Sequence, residues 1–170
     1  MTIDPGTIDP VTLSRMIGQP HQPTPAQAEV IGAPPEPLLV VAGAGAGKTE
    51  TMAARVVWLV ANGFVRPEEV LGLTFTRKAA RELGQRIRER LAALAASRPF
   101  DRVAAPEVRE ALRVIAPEVS TYDAYAGSLV RDYGLLLPAE PGADVLDGAT
   151  QWQMAWELVR DRGDIATELS

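Results

Sequence analysis

A run of small residues precedes a lysine and a threonine in "VVAGAGAGKTE", residues 40–50. Its last part, "AGAGAGKT", has the spacing of a phosphate-binding loop, with alanine where the first glycine usually stands. Backbone N–H groups can wrap a triphosphate only where side chains do not block the approach, which explains why only glycine and alanine precede the lysine. The predicted nucleotide contacts are Ala42, Gly43, Ala44, Gly45, Ala46, Gly47, Lys48 and Thr49.

Three side chains after the small residues have distinct predicted roles. Lys48 carries the charge for the β- and γ-phosphates, and Thr49 offers its hydroxyl to Mg²⁺, so we expect both to be catalytic and Thr49 to bind the metal. Glu50 falls in the first turn of the helix that follows, where an acid is favourable with the helix dipole. We count Glu50 among the residues beside the nucleotide.

Gln27 lies before the loop and has two possible roles. As the third residue of a helix that begins at Thr24-Pro25, it can bond back to the backbone of Thr24 and complete a capping box. Alternatively, its amide can read the edge of adenine through one donor and one acceptor. The residues alone favour the cap.

Alternating strands and helices must position this loop. The apolar run Leu38–Ala42 predicts a buried strand before the loop, and Lys48–Ala61 predicts the helix after it. Further strands are predicted at Val70–Phe75 and Glu118–Tyr122, and further helices at Lys78–Ala96, Pro106–Val114 and Tyr125–Tyr133. This alternation is typical of an α/β fold with a parallel sheet.

The two ends of the chain differ from this pattern. Residues 1–23 contain four prolines and predict a flexible leader with one short helix near Val11–Ile17. After residue 138 there is no strand-like run, only acidic segments and an amphipathic helix near Thr150–Arg160. We expect the two tryptophans of that helix, Trp152 and Trp156, to lie in a core.

Composition excludes several classes of site and protein. The 170 residues contain no cysteine and one histidine, His21, which we expect to be solvated, so neither a disulfide nor a thiolate or histidine metal site is available. No signal peptide or membrane span is evident, and we expect a cytoplasmic protein. The net charge is −5, but residues 77–90 hold six of the 17 basic residues against two glutamates. That basic segment favours an anionic partner.

Four segments together resemble the motifs of one family. In chain order they are "PTPAQAEVI", "LLVVAGAGAGKT", "TFTRKAARELGQRI" and "STYDAYAGSLVRDYG". They are similar to the Q motif, Walker A, motif Ia and motif Ib of the UvrD/Rep/PcrA branch of superfamily one DNA helicases. Within that branch, "TFTRKAA" and "TYDAYAGSLV" look most like the AdnB subunits of actinobacterial AdnAB helicase–nucleases.

The resemblance implies contacts with single-stranded DNA. The matching residues are Thr74, Phe75, Thr76 and Arg77 in motif Ia, and Thr121 and Tyr122 in motif Ib. Both sets end predicted parallel strands, where α/β sheets bind ligands, and an aromatic ring there can stack on a base. The resemblance also favours Gln27 as an adenine reader that can still cap its helix.

The chain departs from the family's usual residues at three positions. Glu50 and Arg77 stand where the family often has arginine and asparagine, and Asp123 stands where it usually has histidine. A carboxylate facing phosphates would be repelled, so we expect Asp123 to turn away or to cap the next helix.

By resemblance, residues 24–134 form the N-terminal part of a RecA-like domain called 1A, and residues 135–170 begin a helical subdomain called 1B. The implied parent is an ATP- and Mg²⁺-dependent helicase or translocase. It would move 3′→5′ on single-stranded DNA during repair of double-strand breaks. The implied partners are DNA, further domains of the same polypeptide and an AdnA-like second subunit, with no membrane.

Hydrolysis needs more than a phosphate loop. In this family an Asp-Glu pair after an apolar strand supplies the metal and water ligands, and no such pair occurs in the 170 residues. We therefore expect the chain alone to be catalytically incomplete. Two alternatives remain: a small P-loop kinase, and a non-catalytic nucleotide-binding docking module.

Overall fold

The computed structural model describes residues 7–114, 116–136 and 146–162. The helices are α1 (Pro10–Met16), α2 (Pro25–Ile31), α3 (Lys48–Ala61), α4 (Arg77–Ala95), α5 (Arg98–Asp101), α6 (Pro106–Val114), α7 (Tyr122–Tyr133) and α8 (Gly148–Arg162). The strands are β1 (Leu71–Thr74) and β2 (Glu118–Thr121), and single 3-10 turns lie at Pro67–Glu69 and Gly134–Leu136.

The chain divides into two compact units, Met1–Tyr125 and Ala126–Ser170. The division falls inside α7.

The sheet of the first unit consists of β1 and β2 in parallel, with Leu71 opposite Glu118 and Thr74 opposite Thr121. Both strands were predicted, and their parallel pairing is confirmed. The described part of the chain is thus a mixed α/β fold with a two-stranded parallel sheet flanked by helices. Because the two strands run in register, their carboxyl ends meet at one edge.

The predicted strand Leu38–Ala42 is not formed, and that prediction is wrong. These residues have no regular structure, and the side chains of Leu39 and Val41 are both 88% exposed. An apolar run becomes a strand only when neighbouring strands take its backbone hydrogen bonds. In the described ranges, neither β1 nor β2 pairs with it.

The core of the first unit lies between α3 and α4. The apolar positions of α4 repeat every three or four residues and predict one buried face. Gly84 on this helix lets the backbone lie close to the sheet, because an added Cβ would stand 3.4 Å from the Cβ of Val119. Helix packing therefore fixes β2 against α4. The buried residues of the two helices include Ala53, Val57, Trp58, Val60, Leu83, Ile87, Leu91 and Leu94.

Helix α1, which lies within the segment 1–23 expected to be a leader, packs on this core. Asp9 caps the helix by accepting hydrogen bonds from the backbone of Val11 and Thr12, both at 3.0 Å. Leu13 is buried in the core cluster, and the indole N–H of Trp58 donates to the carbonyl of Ile8. The short helix predicted near Val11–Ile17 is thus present and held in place by burial.

The second unit contains the remainder of α7 and helix α8. Trp152 and Trp156 stack on each other with ring centroids 5.9 Å apart. They are 70% and 57% exposed, so the prediction that they lie in a core is wrong. The helical pattern correctly indicated an apolar face but not whether anything covers it. No helix in the described ranges is both long enough and apolar enough to cross a membrane.

Candidate nucleotide and nucleic-acid sites

The small-residue loop turns sharply because two of its glycines have left-handed backbone angles. Gly45 and Gly47 both have φ of +78°, and Gly47 is the N-cap of α3. A Cβ built on Gly43 or Gly45 would meet nothing within 4 Å, so the loop is open on that side. In the described part of the chain, the backbone N–H groups of Gly45 and Gly47 are not bonded to other protein groups. The loop can therefore offer them to an anion.

Lys48 begins α3 and folds back over the loop. Its ammonium donates to the carbonyl oxygens of Ala42 at 3.0 Å and Gly43 at 2.7 Å. These contacts hold the positive charge over the exposed loop, at the positive end of the helix dipole. Thr49 is exposed in the first turn of the same helix. The loop, the charge of Lys48 and the hydroxyl of Thr49 thus occur together at the start of α3.

Gln27 joins α2 to this loop. Its side-chain oxygen accepts from the backbone N–H of Thr24 at 3.0 Å, and its backbone N–H donates to the Thr24 hydroxyl, which completes the predicted capping box. Its amide nitrogen donates to the carbonyl of Ala46 at 3.2 Å. Both ends of the amide are therefore engaged with the protein, and the adenine-reading role stays a prediction.

Arg55, which the sequence analysis did not single out, supports α2 from the opposite end. Its guanidinium extends from α3 and donates to the carbonyl oxygens of Val30, Ile31, Ala33 and Pro34 at 2.8–3.2 Å. Partial burial lowers the pKa of Arg55 from its usual value. The arginine thus satisfies carbonyls that the end of α2 leaves without helical partners.

Glu50 is bound by two arginines of α4. Its carboxylate accepts from Arg86 at 2.8 Å and from Arg90. Arg90 also donates to the backbone carbonyl of Glu50 at 3.2 Å and to the side chain of Gln19 at 3.0 Å. Burial lowers the pKa of Arg90 from its usual value. The sequence analysis missed Arg86 and Arg90 as partners, although 3.6-residue periodicity places Arg90 on the buried face of α4.

A cavity of about 980 Å³ lies beside these residues. Its walls come from α1, from the segment before α2 and from the facing sides of α3 and α4. His21, which we expected to be solvated, is exposed and lines the cavity together with Thr24, Gln27 and Glu50. The cavity is large enough for a nucleoside, but none of residues 42–49 lines it.

The motif Ia residues surround the carboxyl end of β1. Two hydroxyls are used structurally: Thr74 donates to the carbonyl of Thr76 at 3.1 Å, and the Thr76 oxygen caps α4 by accepting from Ala79 at 3.1 Å. Phe75 is 89% exposed, and Arg77 is exposed at the start of α4. The ring of Phe75 and the guanidinium of Arg77 are thus both presented to solvent.

The motif Ib residues divide in the same way at the end of β2. Thr121 is buried and caps α7 by accepting from the backbone of Ala124 at 3.2 Å. Tyr122 is half exposed, and its ring lies 5.2 Å from that of Phe75. Asp123 is exposed in the first turn of α7, where its negative charge is favourable beside the positive end of the helix dipole, and Thr121 provides the cap.

The carboxyl ends of β1 and β2, which are predicted to contact DNA, lie together and away from the nucleotide loop. Helix α4 connects them, since it begins at Arg77 beside Phe75 and reaches Glu50 through Arg86 and Arg90. At 1.5 Å per residue, those arginines lie roughly 14–20 Å along the helix from its start. The two predicted sites are therefore separate and share one helix.

The described residues do not form a metal site by themselves. Among the described residues, no three His, Cys, Asp or Glu side chains are close enough to hold a metal ion. The Thr49 hydroxyl is the group that fits Mg²⁺ brought in with a nucleotide.

Comparison with known proteins gives a consistent result. Residues 23–169 match the family described as UvrD/REP helicase N-terminal domain. The chain is 54% identical to DNA helicase IV of Escherichia coli (strain K12) over 67 residues, which are 39% of this chain and 10% of that protein. It is 33% identical to the ATP-dependent DNA helicase PcrA of Leuconostoc citreum over 135 residues, 79% of this chain and 16% of that protein.

A second PcrA, from Bacillus subtilis (strain 168), is 44% identical over 63 residues, which are 37% of this chain and 8% of that protein. The chain thus corresponds to at most 16% of the length of these three relatives. Because the family match extends over most of its residues, the chain belongs to the UvrD/REP helicase family.

Proposed function

We propose that this chain is the ATP-binding part of an ATP-dependent DNA helicase, and that single-stranded DNA lies across the ends of β1 and β2. The observation that carries the proposal is the exposed pair Phe75 and Tyr122, whose rings stand 5.2 Å apart. Two aromatic side chains that could have been buried in an apolar core instead face solvent beside Arg77. Stacking of bases on such rings next to a cation is a common mode of binding single strands.

The nucleotide half of the proposal rests on the loop. Among the described residues, the backbone N–H groups of Gly45 and Gly47 have no protein partner, and Lys48 provides the charge. ATP, when bound, would supply the energy of phosphate hydrolysis, and Thr49 would hold its Mg²⁺. The cavity bordered by Gln27 is the proposed location of the base.

Finer features of the proposal come from the resemblance. We propose that the first unit is part of a RecA-like 1A domain and that residues 135–170 belong to a 1B subdomain. The resemblance of the motif Ia and Ib segments to AdnB supports three finer features. These are 3′→5′ movement, a role in repair of double-strand breaks and pairing with an AdnA-like subunit. Family membership disfavours the small-kinase alternative.

DNA binding is tested with a fluorescently labelled oligothymidylate and the 170-residue chain. Phe75→Ala and Tyr122→Ala should each weaken binding by at least about fivefold, because each removes a stacking surface. Tyr133→Ala, at the other end of α7, is the matched control and should have no effect. Wild-type affinity should fall as salt rises. Equal affinities for all four proteins would contradict the proposed surface.

ATP binding is tested separately by calorimetry. Lys48→Ala should reduce the affinity for Mg·ATP by at least about tenfold, because the ammonium contacts the β- and γ-phosphates. ATP binding without any DNA binding would favour the docking-module alternative. We also propose that the chain alone does not hydrolyse ATP; turnover that Lys48→Ala abolishes would refute this last point.

A further inference from the structure

We propose that Glu50 is a positioning residue for the nucleotide loop. Held by Arg86 and Arg90 of α4, Glu50 fixes the start of α3 and therefore the placement of Lys48 and Thr49. The inference rests on the proposed function, because it concerns how the same loop is kept ready for ATP.

The contacts of Arg90 are unusual because they reach both the side chain and the backbone of one residue. The guanidinium is 7% exposed, donates to the carboxylate of Glu50 and also bonds its carbonyl oxygen at 3.2 Å. A surface ion pair between flexible side chains would hold only the charges. A buried arginine on a main-chain carbonyl holds the polypeptide itself, because moving it would leave a buried charge without partners.

The fixed residue lies within one helical turn of the loop. Glu50 is two residues after Lys48, and the N–H of Thr51 bonds to the carbonyl of Gly47 at 2.9 Å. The first turn of α3 is thus a rigid unit that includes the end of the loop. Anchoring the carbonyl of Glu50 to α4 consequently sets where the loop N–H groups and the ammonium of Lys48 stand.

Arg90 also links this turn to the entrance of the cavity. Its second nitrogen donates to Gln19, which lies on the segment between α1 and α2. Gln19, Glu50 and Arg90 all line the cavity between α1, α3 and α4. One arginine therefore joins three segments around the proposed nucleotide site.

Electrostatics and positioning predict opposite effects on ATP binding when the carboxylate of Glu50 is removed. A negative charge close to a triphosphate repels it, so neutralising Glu50 and leaving two arginines unpaired should tighten ATP binding if only Coulomb forces matter. If Glu50 positions the loop, neutralising it should weaken ATP binding. The sign of the change distinguishes the two.

The experiment measures the dissociation constant for Mg·ATP by calorimetry on the 170-residue chain and its variants. Glu50→Gln keeps the shape and removes the charge, and Glu50→Asp keeps the charge but shortens its reach. We expect a loss of affinity of about tenfold for Glu50→Gln and a smaller loss for Glu50→Asp. Glu69→Gln, which breaks the ion pair with Arg66 elsewhere on the surface, is the matched control and should leave affinity unchanged.

A second readout needs no nucleotide. Hydrogen–deuterium exchange of residues 42–50 should be faster in Glu50→Gln than in wild type and unchanged in Glu69→Gln. Tighter or unchanged ATP binding together with unchanged exchange would overturn the proposal. Faster exchange in a protein whose wild type does not bind ATP would uphold the positioning role and refute the proposed function. Unfolding midpoints confirm that each variant is folded, and Glu50→Asp replaces Glu50→Gln if the latter is not.

Discussion

Gly47 is the loop residue whose identity is most constrained by the surrounding structure. Its φ of +78° disfavours any side chain, and an added Cβ would stand 2.9 Å from the amide nitrogen of Gln27. The backbone angle thus favours glycine at the residue that caps α3, and an added side chain would also displace the Gln27 amide. Gly43, four residues earlier, has neither constraint, because its φ is ordinary and a Cβ there would meet nothing.

We predict that Gly47→Ala lowers the free energy of unfolding by about 1–2 kcal/mol, the cost of a left-handed non-glycine residue. Gly43→Ala should change it by less than about 0.5 kcal/mol, as is usual for exposed sites. Urea unfolding followed by circular dichroism measures both. Equal midpoints for the two variants would show that the loop relaxes around the new side chain.

At this scale the sequence predicts residues that act through local spacing and misses those that act across the fold. Lys48 and Thr49 follow from the motif, and the capping box of Gln27 follows from its distance to Thr24. The partners of Glu50 lie 36 and 40 residues away on α4. Their contact depends on how two helices dock, which no local pattern contains.

Helix α2 illustrates how an element too short to be stable alone is held at both ends. It has seven residues, fewer than an isolated helix needs in water. The capping box secures its start, and the four carbonyl contacts of Arg55 secure its end. Because Gln27 lies in this helix and touches the loop, support of α2 also supports the loop.

We predict that Arg55→Met lowers the free energy of unfolding by about 2–3 kcal/mol, since it leaves carbonyl oxygens without their charged donor. The control is Arg66→Met, because Arg66 is exposed and bonds only the nearby acids Glu68 and Glu69; its unfolding midpoint should hardly move. Thermal or urea unfolding gives the comparison. Similar losses for the two variants would mean that the contacts of Arg55 contribute little.

The pKa of Asp9 gives the stability of α1 a dependence on pH. Hydrogen bonds from the side chain and backbone of Thr12 lower this pKa below 3.8. Since the folded pKa is the lower one, the charged cap stabilises the protein above the unfolded pKa, and this contribution is lost as pH falls through the folded value.

Asp9→Asn keeps a good cap without the charge. At pH 7 we expect it to be less stable than wild type by about 0.3–1 kcal/mol, the usual interaction of an acid with a helix start. The difference should shrink as pH falls through the lowered folded pKa of Asp9. Urea unfolding at several pH values measures this difference in the free energy of unfolding. A difference that grows as pH falls would contradict a stabilising role for the charged cap.

Element types were more predictable than their surroundings. Helix α3 has the predicted bounds and α4 begins one residue earlier than predicted, because capping residues and apolar spacing define both locally. The run Leu38–Ala42 has the composition of a buried strand but no described strand beside it. Strand formation depends on partners elsewhere in the chain, so composition alone overestimates it.

Exposed apolar surface is unevenly distributed over the whole molecule. In the first unit the most exposed apolar residues are Phe75, Leu39 and Val41, and in the second they include Leu135, Leu136 and the apolar residues of α8. Contiguous apolar patches of this kind on soluble proteins usually mark contact surfaces. Tryptophan fluorescence can test this distribution directly, because Trp58 is buried in the first unit, whereas Trp152 and Trp156 are exposed in the second.

We predict that iodide quenches about two thirds of the native tryptophan emission, because two of the three tryptophans are exposed. In the double variant Trp152→Phe, Trp156→Phe the quenchable fraction should fall close to zero, and the emission maximum should lie at shorter wavelength, since only the 1% exposed Trp58 remains. After unfolding in urea, iodide should be able to quench all of the tryptophan emission in both proteins. If native wild type already resists iodide, the face of α8 that carries the two rings is covered in solution, and sedimentation velocity would show whether a second copy of the chain covers it.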